Sequence, residues 1–360
     1  MLRKVVIGSR GSDLALWQAN FTKNQLESEG HAVEIKIIKT KGDQIQHLSF
    51  DKIEGKGFFT KELEDALLEK TIDLAVHSHK DLPTTFPKGL TIAGVSYRED
   101  CSESLLISPS AFDKMEVLGV KKGGIVGTSS ARRKSQLLSL RPDLTIIELR
   151  GNVPTRIKKL IDGNYDAIVL ASAGLNRLNL DLGELQRKVI SPTILIPAPA
   201  QGVLAYQIRE EDIEMKQIIA KLNDEEVAKS IEIERKVLNK MEGGCLLPLG
   251  VYCKFENEKF KVWSSLFTTP ENKFKRVYLE SKNADEAVNK ILNCFSLQKN
   301  KTVYISRNKS EAQLFINQLE PFGYEIISEA TIEFEALNVD SVPFTDWIFF
   351  SSKTGVEFFF

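Results

Sequence analysis

The sequence predicts an α/β fold built around two similar lobes, and three observations carry that expectation. Short β-branched or apolar runs end in Gly/Ser/Thr turns, each turn opens a stretch of helical spacing, and the same strand–turn–helix–strand order occurs twice, from residue 4 and again from residue 124. The run Lys4-Val5-Val6-Ile7 is the first strand and Gly8-Ser9-Arg10-Gly11-Ser12 the turn after it; Leu14, Trp17, Phe21 and Leu26 then follow a helical spacing. Ser12 suits an N-cap, and Asp13 places a carboxylate at the positive end of the helix dipole. Residues 33–38 form the second strand. After the basic, glycine-bearing stretch Lys52-Ile53-Glu54-Gly55-Lys56-Gly57-Phe58-Phe59, a helix begins near Lys61 with Leu63, Ala66 and Leu67 on one face. Asp73-Leu74-Ala75-Val76-His77-Ser78 is a short buried strand, closed by the polar loop His79-Lys80-Asp81-Leu82-Pro83.

The second half repeats the order. Gly124-Ile125-Val126-Gly127 is a strand, Thr128-Ser129-Ser130 a polar turn, and Arg132-Arg133-Lys134 the start of a helix. Residues 145–149 form a strand, and Arg150-Gly151-Asn152-Val153-Pro154-Thr155-Arg156 leads into a helix with Ile157, Leu160 and Ile161 apolar. Residues 165–172 echo the strand at 73–78. The Pro/Ala-rich stretch Ile196-Pro197-Ala198-Pro199-Ala200-Gln201-Gly202 reads as a crossing between domains. Residues 211–240 are charged and helical in pattern until Gly243-Gly244-Cys245 interrupts them. Residues 251–267 and 276–279 read as strands of a smaller α/β unit ending near residue 300. A further start follows, with strands at 302–305, 325–327 and 346–350 and a helix at 310–319. The closing Phe358-Phe359-Phe360 leaves it as a partial α/β unit, as if a domain were cut short.

Composition bounds the function. At ~150 residues per domain, 360 residues make two or three domains. Lysine and arginine number 48 against 49 acidic residues, a net charge of −1, which argues against a binder that works by neutralising nucleic-acid phosphates. The charged fraction of 27% and hydrophobic fraction of 42% are those of a soluble globular protein. No apolar run approaches the ~20 residues that span a bilayer, and the N-terminal run is too short for a signal peptide. Cys101, Cys245, Cys253 and Cys294 make neither a disulfide framework nor a zinc-ligand spacing. The expectation is a reduced, cytoplasmic protein without a metal; balanced charge and the lack of long heptads favour a monomer.

Arginine placement is the strongest physical clue. Arg132, Arg133 and Arg156 fall in the first turns of helices, where a cation opposes the dipole by a few tenths to ~1 kcal/mol. Arg10 and Arg150 sit just ahead of such starts. An anion bound among these guanidiniums and the free N–H groups would offset that cost. The carboxyl edge of an α/β sheet is where such junctions meet. No GxxxxGK[ST] and no GxGxxG after a strand occurs, so nucleotide sites are disfavoured; planar guanidinium forks on several loops suit an extended polycarboxylate. Asp81, beside Lys80 at a strand end, stays ionised among cations and can accept an N–H or steady a cationic intermediate; alternatively it is an Asx-turn residue before Leu82-Pro83. His77 and His79 read as structural. Cys245, in a glycine loop, is a nucleophile, a covalent anchor or a small buried hydrophobe. Cys101, Cys253 and Cys294 read as structural.

Over residues 1–295 these motifs resemble the porphobilinogen deaminase (hydroxymethylbilane synthase) family. The resemblance rests on Ser9-Arg10-Gly11-Ser12 with Leu14-Ala15-Leu16-Trp17-Gln18-Ala19, on Gly55-Lys56-Gly57-Phe58-Phe59-Thr60-Lys61-Glu62-Leu63-Glu64, and on Ala75-Val76-His77-Ser78-His79-Lys80-Asp81. It continues through Val126-Gly127-Thr128-Ser129-Ser130-Ala131-Arg132-Arg133, Leu149-Arg150-Gly151-Asn152-Val153, Ala198-Pro199-Ala200-Gln201-Gly202 and Glu242-Gly243-Gly244-Cys245. Ala131, Ala200 and Leu246-Leu247 depart from the usual pattern without touching a charged role. The resemblance implies two similar periplasmic-binding-protein-like lobes, residues 1–99 with 200–220 and residues 100–199. It adds a smaller cofactor-anchoring domain over 221–298. It implies a dipyrromethane cofactor joined to Cys245 by a thioether, and the joining of four porphobilinogen units with loss of ammonia before water releases hydroxymethylbilane. Asp81 is then the catalytic carboxylate. Ser78, Lys80, Thr128, Ser130, Arg132, Arg133 and Arg156 match cofactor-binding positions, and Arg10, Ser12, Phe59, Arg150, Arg156, Arg177 and Gln201 match positions at the incoming substrate.

Residues 301–360 resemble the beginning of the uroporphyrinogen-III synthase family, through Ile305-Ser306-Arg307 and Thr345-Asp346-Trp347-Ile348-Phe349-Phe350-Ser351-Ser352. The expectation is a fusion whose second part is incomplete and inactive, with a functional link to that synthase. Two other classes compete with the enzyme: a polycarboxylate-binding protein without turnover, which has no need of Cys245 in a glycine loop, and a scaffold, which has no need of arginines at helix starts.

Overall fold

The computed structural model describes residues 3–40, 60–241, 247–267, 274–296, 301–319, 324–331 and 349. The chain divides into two compact units, Met1–Ser296 and Leu297–Phe360.

In the larger unit β1 (Lys4–Ser9), α1 (Asp13–Ser28), β2 (Ala32–Ile37), α2 (Lys61–Leu68), β3 (Leu74–Ser78) and β4 (Leu90–Val95) come first. They are followed by β5 (Glu103–Ile107), β6 (Ile125–Gly127), α3 (Ala131–Leu140), β7 (Thr145–Ile147), α4 (Val153–Ile161), β8 (Ala167–Ala171), α5 (Ser172–Leu178) and β9 (Gln186–Ile190). Next come β10 (Leu204–Arg209), α6 (Ile213–Ala220) and α7 (Glu225–Lys240). The strands at 90–95, 103–107, 186–190 and 204–209 and the helix at 172–178 have no counterpart in the sequence reading.

Two five-stranded sheets share one plan. The first has the order β2-β1-β3-β10-β4 and the second β7-β6-β8-β5-β9. In each, the first three strands are parallel and the fourth runs antiparallel to its neighbours. β5 follows β4 in the chain yet pairs in the second sheet, and β10 follows β9 yet pairs in the first. The chain therefore crosses twice, through residues 96–102 and 191–203.

Helices cover both faces of each sheet, so the inner strands β3, β5, β8 and β10 are buried almost along their whole length, while the edge strands β2 and β9 keep exposed charged residues. Ala19 and Leu26 of α1 and Met215 and Ile219 of α6 pack on Val5, Ile7, Val76 and Tyr206. Leu63, Ala66 and Leu67 of α2 cover the opposite face, as their spacing predicts. In the second sheet Leu137 of α3 packs on Val126 and Val169, while Ile157 and Leu160 of α4 pack on Ile168 and Leu170. Of the apolar positions spaced along α1, Leu26 is buried while the stripe Leu14, Trp17 and Phe21 is only half-buried, and α1 also buries Gln18, Ala19 and Thr22. Trp17 stacks on Phe21 at 5.4 Å between ring centroids, and the Arg177 guanidinium lies 5.5 Å from the Trp17 ring centroid. That stripe is thus the face α1 turns toward α5.

β11 (Leu249–Glu256), β12 (Lys259–Leu266) and β13 (Lys275–Ser281) form a separate antiparallel meander. Ile233 and Val237 of α7 and Ala287, Val288 and Ile291 of α8 (Ala284–Ser296) bury its inner face. Asn257 and Glu258 make the β11–β12 turn, both at positive φ (52° and 58°), the geometry that fits the right-handed twist of a hairpin. In the smaller unit β14 (Lys301–Ile305) and β15 (Tyr324–Ser328) pair in parallel around α9 (Lys309–Leu319), which buries Ala312 and Ile316. The strand expected at 346–350 lies outside the described residues, apart from the exposed Phe349. Among the described residues no helix is long and apolar enough to cross a membrane.

Candidate functional site

The helices that carry the predicted arginines start at the carboxyl edge of the parallel strands. Ser12 caps α1 by accepting the Ala15 N–H, Ser130 caps α3 by accepting the Arg133 N–H, and Asn152 caps α4 by accepting the Thr155 N–H. Each cap uses a Ser or Asn oxygen to satisfy an N–H that the first turn leaves open.

Two neighbouring cavities open at this edge. The first is lined by Leu14, Ser78, Lys80, Arg133, Val153, Arg156, Leu170, Ala171, Ala173, Gly174, Arg177, Gln201, Gly202 and Val203. Four cations and no carboxylate stand in that lining. The second is lined by Arg10, Ser12, Leu14, Ala15, Gln18, Thr60, Leu63, Val76, His77, Ser78, Asp81 and Leu82. Ser78 and Leu14 belong to both, so Asp81 stands next door to the cationic cavity.

The cations are held by backbone carbonyls. Arg156 Nε donates to Gly151 O at 2.7 Å, Arg177 Nη2 to Gly202 O at 2.7 Å, and Arg133 Nη1 to Val169 O at 3.0 Å. Lys80 Nζ donates to Gln201 Oε1 at 3.4 Å, and Gln201 Nε2 donates to Cys101 O at 2.9 Å. Burial, with Arg133 next, pushes Arg156 down to about 10; burial also lowers Lys80 and Arg177. These charges are under-compensated by the protein, which is the condition in which an anionic ligand is most strongly favoured. Arg133 Nε and Arg177 Nε are buried without a hydrogen-bond partner.

The adjacent arginines at the start of α3 differ from expectation. Their anion is part of the protein: Glu103, with no exposed surface, accepts from Arg132 Nη2 at 2.6 Å and from Arg133 Nη2 at 2.7 Å. Burial alone would raise the Glu103 carboxyl, but Arg133 and Arg132 outweigh it and hold it down at about 2. Sequence reasoning missed Glu103; its signal was an acid inside the apolar run Glu103-Ser104-Leu105-Leu106-Ile107.

Not every expected residue reaches a cavity. Arg132 lines neither and gives its Nη1 to Ile196 O at 2.8 Å. Thr128, Ser130 and Arg150 also line neither; Thr128 Oγ1 accepts the Ser130 N–H at 3.2 Å, and Arg150 Nε donates to Glu148 Oε2 at 3.3 Å. Phe59 and Cys245 lie outside the described residues. His77, bonded through Nε2 to Gln207 Oε1 at 2.9 Å, is lowered to about 4 by burial, and His79 to about 3 by burial and Arg235, so both are neutral at ordinary pH. Burial pushes the Cys101 thiol up to about 11 and raises Cys253 and Cys294, which leaves all three as unreactive thiols. Among the described residues no group of three or more His, Cys, Asp or Glu could hold a metal ion.

Comparison with known proteins adds a family to this geometry. The family described as "Porphobilinogen deaminase, dipyromethane cofactor binding domain" matches residues 5–217, the stretch that contains both five-stranded sheets. A porphobilinogen deaminase of Oceanobacillus iheyensis is 45% identical over 260 residues, covering 72% of this chain and 82% of its own length. One of Maridesulfovibrio salexigens is 44% identical over 263 residues, covering 72% and 83%. Among solved structures, a probable amino-acid ABC transporter extracellular-binding protein from Bacillus subtilis aligns with 62% of this chain and 90% of its own. Its identity is 11% and its TM-score 0.40, too remote a likeness to carry an argument.

Proposed function

From the premise that the chain belongs to the porphobilinogen deaminase family, we propose that it joins four porphobilinogen molecules head to tail on a dipyrromethane primer. Ammonia leaves at each step, and water frees the linear hydroxymethylbilane. It is an enzyme of tetrapyrrole biosynthesis. The observation that carries this reading is the cavity faced by Lys80, Arg133, Arg156 and Arg177 with no carboxylate among its lining. Every pyrrole of the chain brings an acetate and a propionate, so the ligand is a polyanion that grows as the reaction proceeds. Guanidiniums spread over several loops suit carboxylates that are themselves spread out.

The residues fit such a group. The partnerless N–H donors of Arg133 and Arg177 and the lowered pKa of Lys80, Arg156 and Arg177 are what a polycarboxylate would satisfy. Ser78, Lys80, Arg133 and Arg156 would hold it, with Thr128, Ser130 and Arg132 supporting α3 from behind. Cys245 would hold the dipyrromethane through a thioether, and the bound group would supply the pyrrole carbon on which the chain is extended. Asp81, in the cavity next door with Arg10 and Ser12, accepts pyrrole N–H groups at its Oδ atoms, opposes the positive charge that develops on the ring, and relays a proton at each condensation. Arg150, Arg177, Gln201 and Phe59 complete the binding of the incoming molecule. Residues 301–360 are read as kin to the opening of uroporphyrinogen-III synthase, and this chain is expected not to cyclise added hydroxymethylbilane. We read the protein as a cytoplasmic monomer.

The test is the intact mass of the denatured protein after incubation with porphobilinogen, beside a Cys245→Ser control. The expected result is an adduct of two pyrrole units on the wild type alone. A folded wild type without an adduct would move the reading to a polycarboxylate binder without turnover.

A further inference from the structure

Glu103 and Arg133 meet where the second sheet supports the cationic cavity. Arg132 and Arg133 are neighbours in the first turn of α3, where both oppose the helix dipole and each other. Glu103 on β5 answers both with one carboxylate, at 2.6 and 2.7 Å. The two guanidiniums then go different ways. Arg132 is directed at the Ile196 carbonyl and away from the cavities. Arg133 is fixed at Nη2 by Glu103 and at Nη1 by Val169 O; it lines the cavity, and its buried Nε is without a partner. A guanidinium is a rigid plane with five donors, so fixing two of its nitrogens fixes the third.

We propose that Glu103 is a positioning residue: by accepting from Arg133 Nη2 while Val169 O takes Nη1, it holds that guanidinium in one orientation at the cavity wall and so fixes where its charge is presented to a ligand carboxylate. Lys80 feels the same carboxylate, since Glu103 offsets part of the charge crowding around its ammonium. The kinetic part of this inference rests on the deaminase reading; the part about the Arg133 side chain does not.

The experiment compares wild type, Glu103→Gln, Glu103→Asp and Arg133→Lys, each checked for a cooperative thermal transition. Since Arg133 is assigned to the dipyrromethane, loss of the Glu103 charge predicts that unloaded Glu103→Gln gains the two-pyrrole adduct about tenfold more slowly on incubation with porphobilinogen, read by intact mass. Glu103→Asp keeps the charge but draws it back by one methylene, and is expected to slow loading by about threefold. Arg133→Lys, which cannot meet Glu103 and Val169 O with one planar group, should slow loading at least as much as Glu103→Gln. In ligand-free protein, the ¹⁵N NMR signal assigned to Arg133 Nε–H should be sharp and slow to exchange in wild type and broadened in Glu103→Gln. Wild-type loading in either folded Glu103 variant overturns the proposal. If the wild type turns over no porphobilinogen, the deaminase reading fails and the NMR comparison alone decides: an unchanged Nε–H signal in a folded Glu103 variant overturns the positioning role.

Discussion

Arg98 Nη1 donates to Glu234 Oε1 at 2.7 Å in a pair that ties α7 to both crossings between the sheets. Arg98 belongs to the first crossing and gives its Nε to Gln201 O in the second. Glu234, with no exposed surface, also accepts the Ala200 N–H and the Cys253 N–H, each at 2.7 Å. One carboxylate therefore joins the first crossing, the second crossing, α7 and β11. Removing it leaves a largely buried guanidinium without its counter-charge and two backbone N–H groups without acceptors, a loss of about 3–5 kcal/mol. Glu234→Ala should show that loss in urea unfolding, and loss of cooperativity between the two sheets and the β11–β13 meander when each is followed by a local probe.

Gly202 stands where no other residue fits. Its φ is +91°, and an added Cβ would collide with the Glu99 backbone oxygen. Its carbonyl accepts both the Arg177 Nη2 donor and the Glu99 N–H. The left-handed conformation alone costs a side chain ~1–2 kcal/mol, and the collision adds to it. Gly202→Ala is expected to lower unfolding free energy by at least about 2 kcal/mol and to raise KM, because Arg177 loses its anchor. Unchanged urea unfolding would refute this account of the crossing.

How far the sequence disclosed this arrangement depended on whether a feature was local. β1, β3, β6 and β8, their turns and the capped starts of α1, α3 and α4 are coded by adjacent residues, and they were legible. β5 and β10 were not: each is inserted antiparallel into a sheet whose other strands lie far along the chain. β10 is buried on both faces yet contains Gln207 and Arg209, so its pattern fits neither an alternating nor a uniformly apolar strand. The arginines at helix starts were read as the mark of a bound anion. What the sequence did not disclose is that Arg132 and Arg133 already share a protein carboxylate, Glu103, about 30 residues upstream on β5. The Leu14–Trp17–Phe21 stripe has the spacing of a core face, and only the tertiary structure shows it turned toward α5.

Stability should fall with acid in two stages. His77 and His79 are buried neutral, with pKa values lowered to about 4 and about 3. Below the ordinary histidine value of 6.5 the unfolded chain takes up protons that the folded chain refuses. Each histidine therefore costs about 1.4 kcal/mol per pH unit as pH drops from there toward its folded value. Glu103, held at about 2, favours the folded state above pH 4.5, and that contribution, of order 3 kcal/mol, is lost between pH 4.5 and 2. Urea unfolding measured from pH 7.5 downward should therefore weaken first near pH 6.5. His79→Gln should roughly halve the slope of the first stage and leave the second in place; an unaltered slope would mean that His79 is not buried neutral.

Asp81 decides between an enzyme and a binder that shares its cavities. It is exposed at the end of the short turn His79–Asp81, and the carbonyls of Leu82 and Pro83 just after it are held by Arg235 of α7. Its surroundings are therefore fixed while its carboxylate remains open to a ligand in the cavity it lines with Arg10 and Ser12. Asparagine has nearly the same shape and can still accept through its oxygen, but it carries no charge and cannot take a proton. Asp81→Asn should thus leave the fold and the affinity for porphobilinogen carboxylates close to wild type, since Lys80, Arg133, Arg156 and Arg177 are untouched. Turnover should fall by about two orders of magnitude or more, the contribution of a positioned acid–base group together with charge stabilisation of the developing cation. Calorimetric binding and ammonia release measured on the same preparation separate the two quantities. Near-normal ammonia release in the variant would take the catalytic role away from Asp81, and lost binding with a normal melting profile would make it a ligand-holding residue instead.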